Sequence, residues 1–236
     1  MPTFMTEHTF ARLKESRDAM STIPDGPSAP SNIFVPWAGE RLVSEGRGVY
    51  FVGMAVAAEP ADGDQDFATR LKATEAWCRD PKRPGSPYWQ FINRITSALL
   101  GGAHDQTQHA WGWSNLLKIA GKEGSPSDWG RDLVPAQRDA GVDALREEIS
   151  ALRDSLVIIT SGQEFGVIYS VLPKLKNWDT VNRPGCTYFL HDPDSGNAIV
   201  HSYHPKYMQM KRHFDSAVEE TIYFAKTKLK PFPSAV

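Results

Sequence analysis

The sequence predicts a single α/β domain built on a parallel sheet, because short, wholly apolar runs alternate with segments of helical periodicity. Val49-Tyr50-Phe51-Val52-Gly53-Met54 and Leu156-Val157-Ile158-Ile159-Thr160-Ser161 are the plainest strands, each with glycine, proline or polar residues near its ends. A length of 236 residues with 41% hydrophobic content suits one such core.

Residues 6–20 read as a short helix, which Pro24, Gly26, Pro27 and Pro30 end before Ile33-Phe34-Val35. Residues 1–32 are therefore expected to form an arm laid over a domain of residues 33–236. After the first strand, residues 56–85 read as a long loop rich in Ala, Asp, Gly and Pro. Ser86-Pro87 then caps a helix that carries Tyr88, Phe91, Ile92, Ile95 and Leu99 at helical spacing and stops at Gly101-Gly102. Ala110 to Ala120 reads as a second strand passing into a loop over 121–137. A helix with Val142, Leu145, Ile149 and Leu152 on one face leads into the third strand. Beyond a helix around Glu164–Leu172, two strands, Thr187–Leu190 and Ala198–His201, flank the turn Asp194-Ser195-Gly196-Asn197. The last helix carries Phe214, Val218, Ile222 and Ala225 and is stopped by Pro231 and Pro233. The alternation suits right-handed β-α-β units.

Charge and cysteine content narrow the function. The net charge of −2 gives no global positive field, so contact with a polyanion requires a local basic strip. Cys78 and Cys186 alone exclude a four-cysteine metal site and allow at most one disulfide. His104, His109, His191 and His201 lack ligand spacing, so neither a metal nor a cofactor is expected. There is no Gly-x-Ser-x-Gly elbow, P-loop or dinucleotide fingerprint. No apolar run approaches the roughly 20 residues that span a bilayer, and the N-terminus is polar, so a cytoplasmic monomer is expected.

Four segments in order carry a resemblance: Val49–Gly53, Arg83-Pro84-Gly85-Ser86-Pro87-Tyr88-Trp89, Trp113-Ser114-Asn115-Leu116-Leu117-Lys118, and Val200-His201-Ser202-Tyr203-His204-Pro205. Together they resemble the uracil-DNA glycosylase superfamily, nearest in pattern to its mismatch-specific and thymine glycosylases. The resemblance implies a three-layer α/β/α fold with a central, mainly parallel four-stranded sheet, and removal of a flipped-out base from DNA. The first motif departs from the family. Its short Gly-x-Asp-Pro or Gly-x-Asn-Pro is replaced by Gly53-Met54-Ala55-Val56, and an acid before proline appears only at Glu59-Pro60. Either Glu59 takes over after an insertion, or Ala55 is the equivalent position and the acid is absent.

Breaking an N-glycosidic bond builds positive charge on the sugar and negative charge on the departing base. Glu59 is the candidate anion beside the sugar and His204 the candidate donor to the base; the alternatives are a solvated carboxylate and a histidine that opens a surface helix. Asn115 is the candidate base reader through its amide, or else a structural residue of its loop. Gly53 and Met54, at the strand exit, complete the expected base pocket. Phe67 and Trp77 are candidate stacking platforms, or else loop anchors; Tyr88, Trp89 and Phe91 read as core. Lys206, Tyr207, Met208, Lys211 and Arg212 form the candidate DNA strip, with Tyr207 or Met208 as the wedge between bases. The long loop and altered first motif predict a modified or damaged base, such as a hypermodified cytosine of phage DNA, in repair or defence. The second reading is a DNA or nucleotide binder without turnover.

Overall fold

The computed structural model describes residues 3–24, 29–55, 66–80, 85–123, 133–161, 171–174, 176–177 and 187–232. Within them the fold is mixed α/β, with a mainly parallel central sheet flanked by helices. The sheet is wider than the expected four strands. Its order is β2 (Trp37–Ala38), β4 (Trp111–Asn115), β3 (Val49–Gly53), β6 (Leu156–Ile159), β9 (Ala198–His201), β8 (Tyr188–His191) and β7 (Lys176–Asn177). The four middle-to-left strands β4, β3, β6 and β9 are mutually parallel. The outer strands β2, β8 and β7 pair antiparallel, and β8 joins β9 as the hairpin read around Asp194–Asn197.

The central strands β3 and β6 are apolar on both faces because helices cover both. On one face Val49, Phe51, Trp111, Trp113, Ile158 and Val200 pack against α4 (Pro87–Leu100) and α8 (Phe214–Lys228). On the other, Tyr50, Val52, Val157, Ile159 and Ile199 meet α2 (Glu40–Glu45) and α6 (Leu133–Ser150). Period-two alternation thus assigns every second residue to one layer. Burying each large apolar side chain contributes roughly 1.5–3 kcal/mol, which is why these strands read as continuous apolar runs. Among the described residues, no helix is long and apolar enough to cross a membrane.

Helix α4 forms as its sequence directs. Ser86 is the N-cap, its side chain accepting from the Trp89 N–H, Pro87 opens the first turn, and Gly101 ends the helix at φ 73°. Pro135 sits in the first turn of α6, where no intrahelical donor is lost.

Three local readings are corrected. The supposed loop 56–85 contains α3 (Phe67–Arg79), capped by Asp66, whose side chain accepts from the Thr69 N–H. This helix lacks an apolar stripe: it buries Arg70, whose Nε donates to the Ile33 carbonyl at 3.0 Å, and exposes Trp77. The run Ala110–Ala120 is two strands, because the chain turns after Asn115 and β5 (Ile119–Gly121) pairs antiparallel with β1 (Pro30–Ile33) outside the main sheet. The loop over 121–137 ends early, since α6 begins at Leu133. The short helix read over residues 6–20 is α1 (Glu7–Ala19), and its Phe10 and Leu13 share a cluster with Ile33, Leu71, Ile119, Leu133 and Ala144. The helix expected around Glu164–Leu172 lies mostly outside the described residues, as does Cys186. Cys78 is a buried free thiol.

Candidate active site at the carboxyl ends of the parallel strands

The chain leaves β3 toward β4 on one side and returns to β6 on the other, so the strand order reverses between β3 and β6. A crevice at the carboxyl ends of strands flanking such a reversal is where open α/β sheets bind ligands. Gly53 ends β3, Asn115 ends β4, Thr160 and Ser161 follow β6, and Ser202 to His204 follow β9. A helix that returns from a parallel strand starts at this same edge, which brings the first turn of α4, with Tyr88, over the crevice.

Gly53 and Asn115 are register partners, and both face the α4 layer. They are in close contact: a Cβ on Gly53 would collide with Asn115 Oδ1 and lie 3.2 Å from Tyr88 Oη. Glycine is required here by the approach of the amide, not by a turn. The pairing of β3 with β4 continues past the sheet, since Leu116 N–H donates to Gly53 O and Leu117 N–H to Met54 O, both at 2.9 Å. Those bonds hold Asn115 rigidly over the strand exit. We expect Gly53→Ala to displace the Asn115 amide and to lower stability by about 1–3 kcal/mol; a urea unfolding curve beside a crystal structure of the variant checks it.

His204 lies across the Tyr88 ring, with centroids 5.6 Å apart and planes within 11°. Its Nδ1 accepts the Lys206 N–H at 3.2 Å, where it caps α7 (Pro205–Met210). A neutral imidazole that accepts at Nδ1 carries its proton at Nε2. Burial, and then the charge of Lys206, push the His204 pKa below its ordinary value. The result is a neutral ring with an Nε2–H donor at neutral pH.

Behind the crevice, His201 is fully buried and its Nε2 lies 3.1 Å from Ser161 Oγ. Burial pushes its pKa down to about 4. The unfolded chain titrates at the ordinary value of about 6.5 and so binds the extra proton first as pH falls. Stability is therefore complete above pH 6.5 and lost as pH drops toward 4, by about 3 kcal/mol in total. Urea unfolding at pH 7 and pH 5 checks this: the loss on acidification should be smaller by about 2 kcal/mol in His201→Gln.

On the opposite face of β3 and β4 lies a buried polar network that the sequence reading did not contain. Lys118 Nζ lies 2.7 Å from Glu148 Oε1, and neither side chain is exposed. Tyr50 Oη and Ser114 Oγ both donate to Glu148 Oε2, at 2.8 and 2.6 Å, and Lys118 also donates to Ser114 Oγ. Burial lowers the Lys118 pKa against the opposing pull of Glu148, and burial raises that of Tyr50 well above its usual value.

The other expected site residues divide. Glu59 lies outside the described residues. Phe67 packs edge-on against Phe10, with centroids 5.5 Å apart, and anchors α3; it is not a stacking platform. Trp77 is 50% exposed on α3. Met54 is half-buried against the cluster beside α6. Met208 is 1% exposed and accepts from Ser202 Oγ, so it is not the wedge. Tyr207 is 42% exposed, with Lys211 Nζ 5.6 Å from its ring centre and Tyr203 packed beside it. Lys206, Lys211 and Arg212 are exposed on the same loop and helix. Tyr88, read as core although the resemblance puts the start of its helix close to the site, packs against the core cluster and stacks on His204. Its neighbourhood with Ser86-Pro87 at a helix start was the available signal.

No protein-family model matches the chain, and no curated protein matches it.

Proposed function

We propose that this protein is a DNA glycosylase with a uracil-DNA glycosylase-like fold, which flips out a modified or damaged pyrimidine and hydrolyses its N-glycosidic bond. The observation that carries the reading is the neutral His204, its Nε2–H available, stacked on Tyr88 in the corner that holds Asn115 and Gly53. A leaving base gathers negative charge on its carbonyl oxygen, and a neutral N–H donor stabilises that charge without first giving up a proton to solvent.

Asn115 reads the edge of the base and Gly53 leaves room for the reading amide. Glu59, six residues beyond Gly53 in sequence, is assigned the roles of stabilising the developing sugar cation and activating the attacking water. Tyr207 enters the duplex from the exposed loop, and Lys206, Lys211 and Arg212 bind flanking phosphates. With a net charge of −2, this local strip supplies the attraction that the whole molecule lacks.

One observation favours the second reading, a DNA or nucleotide binder without turnover. Ala55, which directly follows Gly53-Met54 where the resembling family has its acid, packs against the apolar cluster of α1, α3 and β5. Alkali-induced strand cleavage separates the two. Duplexes containing uracil, a thymine mismatch, 5-hydroxymethylcytosine or its glucosylated form are incubated with wild type and Glu59→Ala. Cleavage of at least one modified duplex, reduced 100-fold or more in Glu59→Ala, is the expected result. Tight binding of every duplex with cleavage of none would establish the binder.

A further inference from the structure

The surface beside His204 gathers aromatic rings and cations on one short stretch of chain. Tyr203 packs against the core layer of α4 and α8 and lies beside Tyr207, with ring centroids 4.9 Å apart and planes 30° from parallel. Tyr207 and Met210 are exposed on α7, and Lys206, Lys211 and Arg212 are exposed on it and just after it. None of these three cations forms an ion pair among the described residues. On other surfaces Arg12, Arg79, Arg94 and Arg146 each hold a carboxylate. In a chain of net charge −2, unpaired cations clustered around exposed rings fit a partner that is both anionic and flat-faced.

Arg212 adds an independent observation. The end of α7 is closed by the Arg212 N–H donating to Gln209 O at 3.1 Å and the His213 N–H donating to Met208 O at 2.8 Å. This turn places Arg212 at φ 59°, in the left-handed region that glycine occupies at least cost. An arginine at that position spends backbone energy and contributes a cation to the exposed rim.

The rings indicate the state of the strand. A side chain that slips between two intact base pairs needs both ring faces clear, and Tyr203 already lies against Tyr207 at a shallow angle. Over the ring otherwise lies the Lys211 ammonium, 5.6 Å from its centre, on a long side chain that can swing to a phosphate. One clear face suits the end of a stack. A base of an unpaired strand settles there without giving up a partner, whereas a duplex must first open a base pair.

We propose that Tyr203, Tyr207, Lys206, Lys211 and Arg212 form a platform for single-stranded DNA. The nucleotide next to the flipped base stacks on Tyr207, which Tyr203 supports from the core, while the cations meet the phosphates on either side. The substrate class is an unpaired strand, and Tyr207 enters a duplex only where a pair has opened. The inference rests on the glycosylase reading for the position of the platform beside a flipped base, while binding of the strand is independent of turnover.

Fluorescence anisotropy with a short labelled oligonucleotide, alone and annealed to its complement, tests this at one ionic strength. Wild type should bind the single strand at least tenfold more tightly than the duplex. Tyr207→Ala should lower single-strand affinity about tenfold, and Tyr207→Phe, which keeps the ring, should stay within about twofold of wild type. Arg212→Gly should weaken the same binding and reduce its salt slope by about 0.7, with a melting temperature equal to or above that of wild type. A merely structural arginine would give the higher melting temperature with unchanged affinity. Equal or tighter binding of the duplex, wild-type affinity in Tyr207→Ala, or no binding of either DNA would overturn the platform. Preference for the single strand with no base released from it sustains the platform while the glycosylase reading falls; base release from duplex alone sustains that reading and overturns the platform.

Discussion

Replacing His204 with alanine should lower the single-turnover rate of base release by roughly 10²–10⁴-fold while leaving DNA affinity within a few-fold of wild type. The separation follows from geometry. His204 is stacked on the Tyr88 ring, and the exposed cations Lys206, Lys211 and Arg212 lie on and just after α7. The pH profile distinguishes the role of the ring. Because burial and Lys206 hold the imidazole neutral below its ordinary range, the His204-dependent rate should be level through pH 7 and fall only on the acid side. A histidine acting as a cationic acid would show the opposite sign, with the rate falling as pH rises through about 6.5. His204→Asn, which retains an N–H donor, should recover part of the lost rate.

The second large effect is on stability. Glu148→Ala removes the counter-charge of a fully buried Lys118 and the acceptor for Tyr50 and Ser114. Breaking a buried ion pair on one side costs about 3–5 kcal/mol, because the remaining charge has neither water nor partner. In a protein of this size that lowers the melting temperature on the order of 10 °C. The double variant Lys118→Met with Glu148→Met should regain part of the loss, since no charge is left buried, while the Tyr50 and Ser114 hydroxyls still lack their acceptor. A loss under 1 kcal/mol in Glu148→Ala, measured by urea unfolding, would show that the pair is solvated. The network also bears on the site. Ser114 precedes Asn115, and Lys118 closes the turn that follows it, its carbonyl accepting the Phe34 N–H at 2.6 Å.

Which parts of this were legible in the sequence follows from the range of the interactions. The strand Val49–Gly53 and helix α4 were read correctly because their signals are local: an apolar run, an N-cap serine, a proline in the first turn and a terminal glycine. The edge strands β2 and β7, two residues each, have no sequence signature, and the pairing of distant segments creates them. Helix α3 was hidden because it is stabilised by one buried arginine and a few apolar contacts in place of a stripe. At the candidate site, Gly53 and Asn115 were legible as residues near strand ends, and His204 as the residue before a helix-opening proline. The stacking of Tyr88 on His204 was not, because it joins the first turn of α4 to the loop after β9, and only tertiary packing brings the two rings together. Lys118 and Glu148 are thirty residues apart on a strand loop and a helix, and only the packing of α6 on β3 and β4 brings them into contact. The basic strip was legible by composition, yet Met208 turned inward because its position on α7 faces the core.

Detection of the free base by mass spectrometry tests the central claim most directly. Duplex carrying a modified cytosine is incubated with the protein, and the small-molecule fraction is measured with no alkali or heat applied. Release of the intact modified base, in equal amount to the abasic sites formed and abolished in His204→Ala, is the result this account predicts. Duplex that is bound by the protein yet retains every base would contradict it.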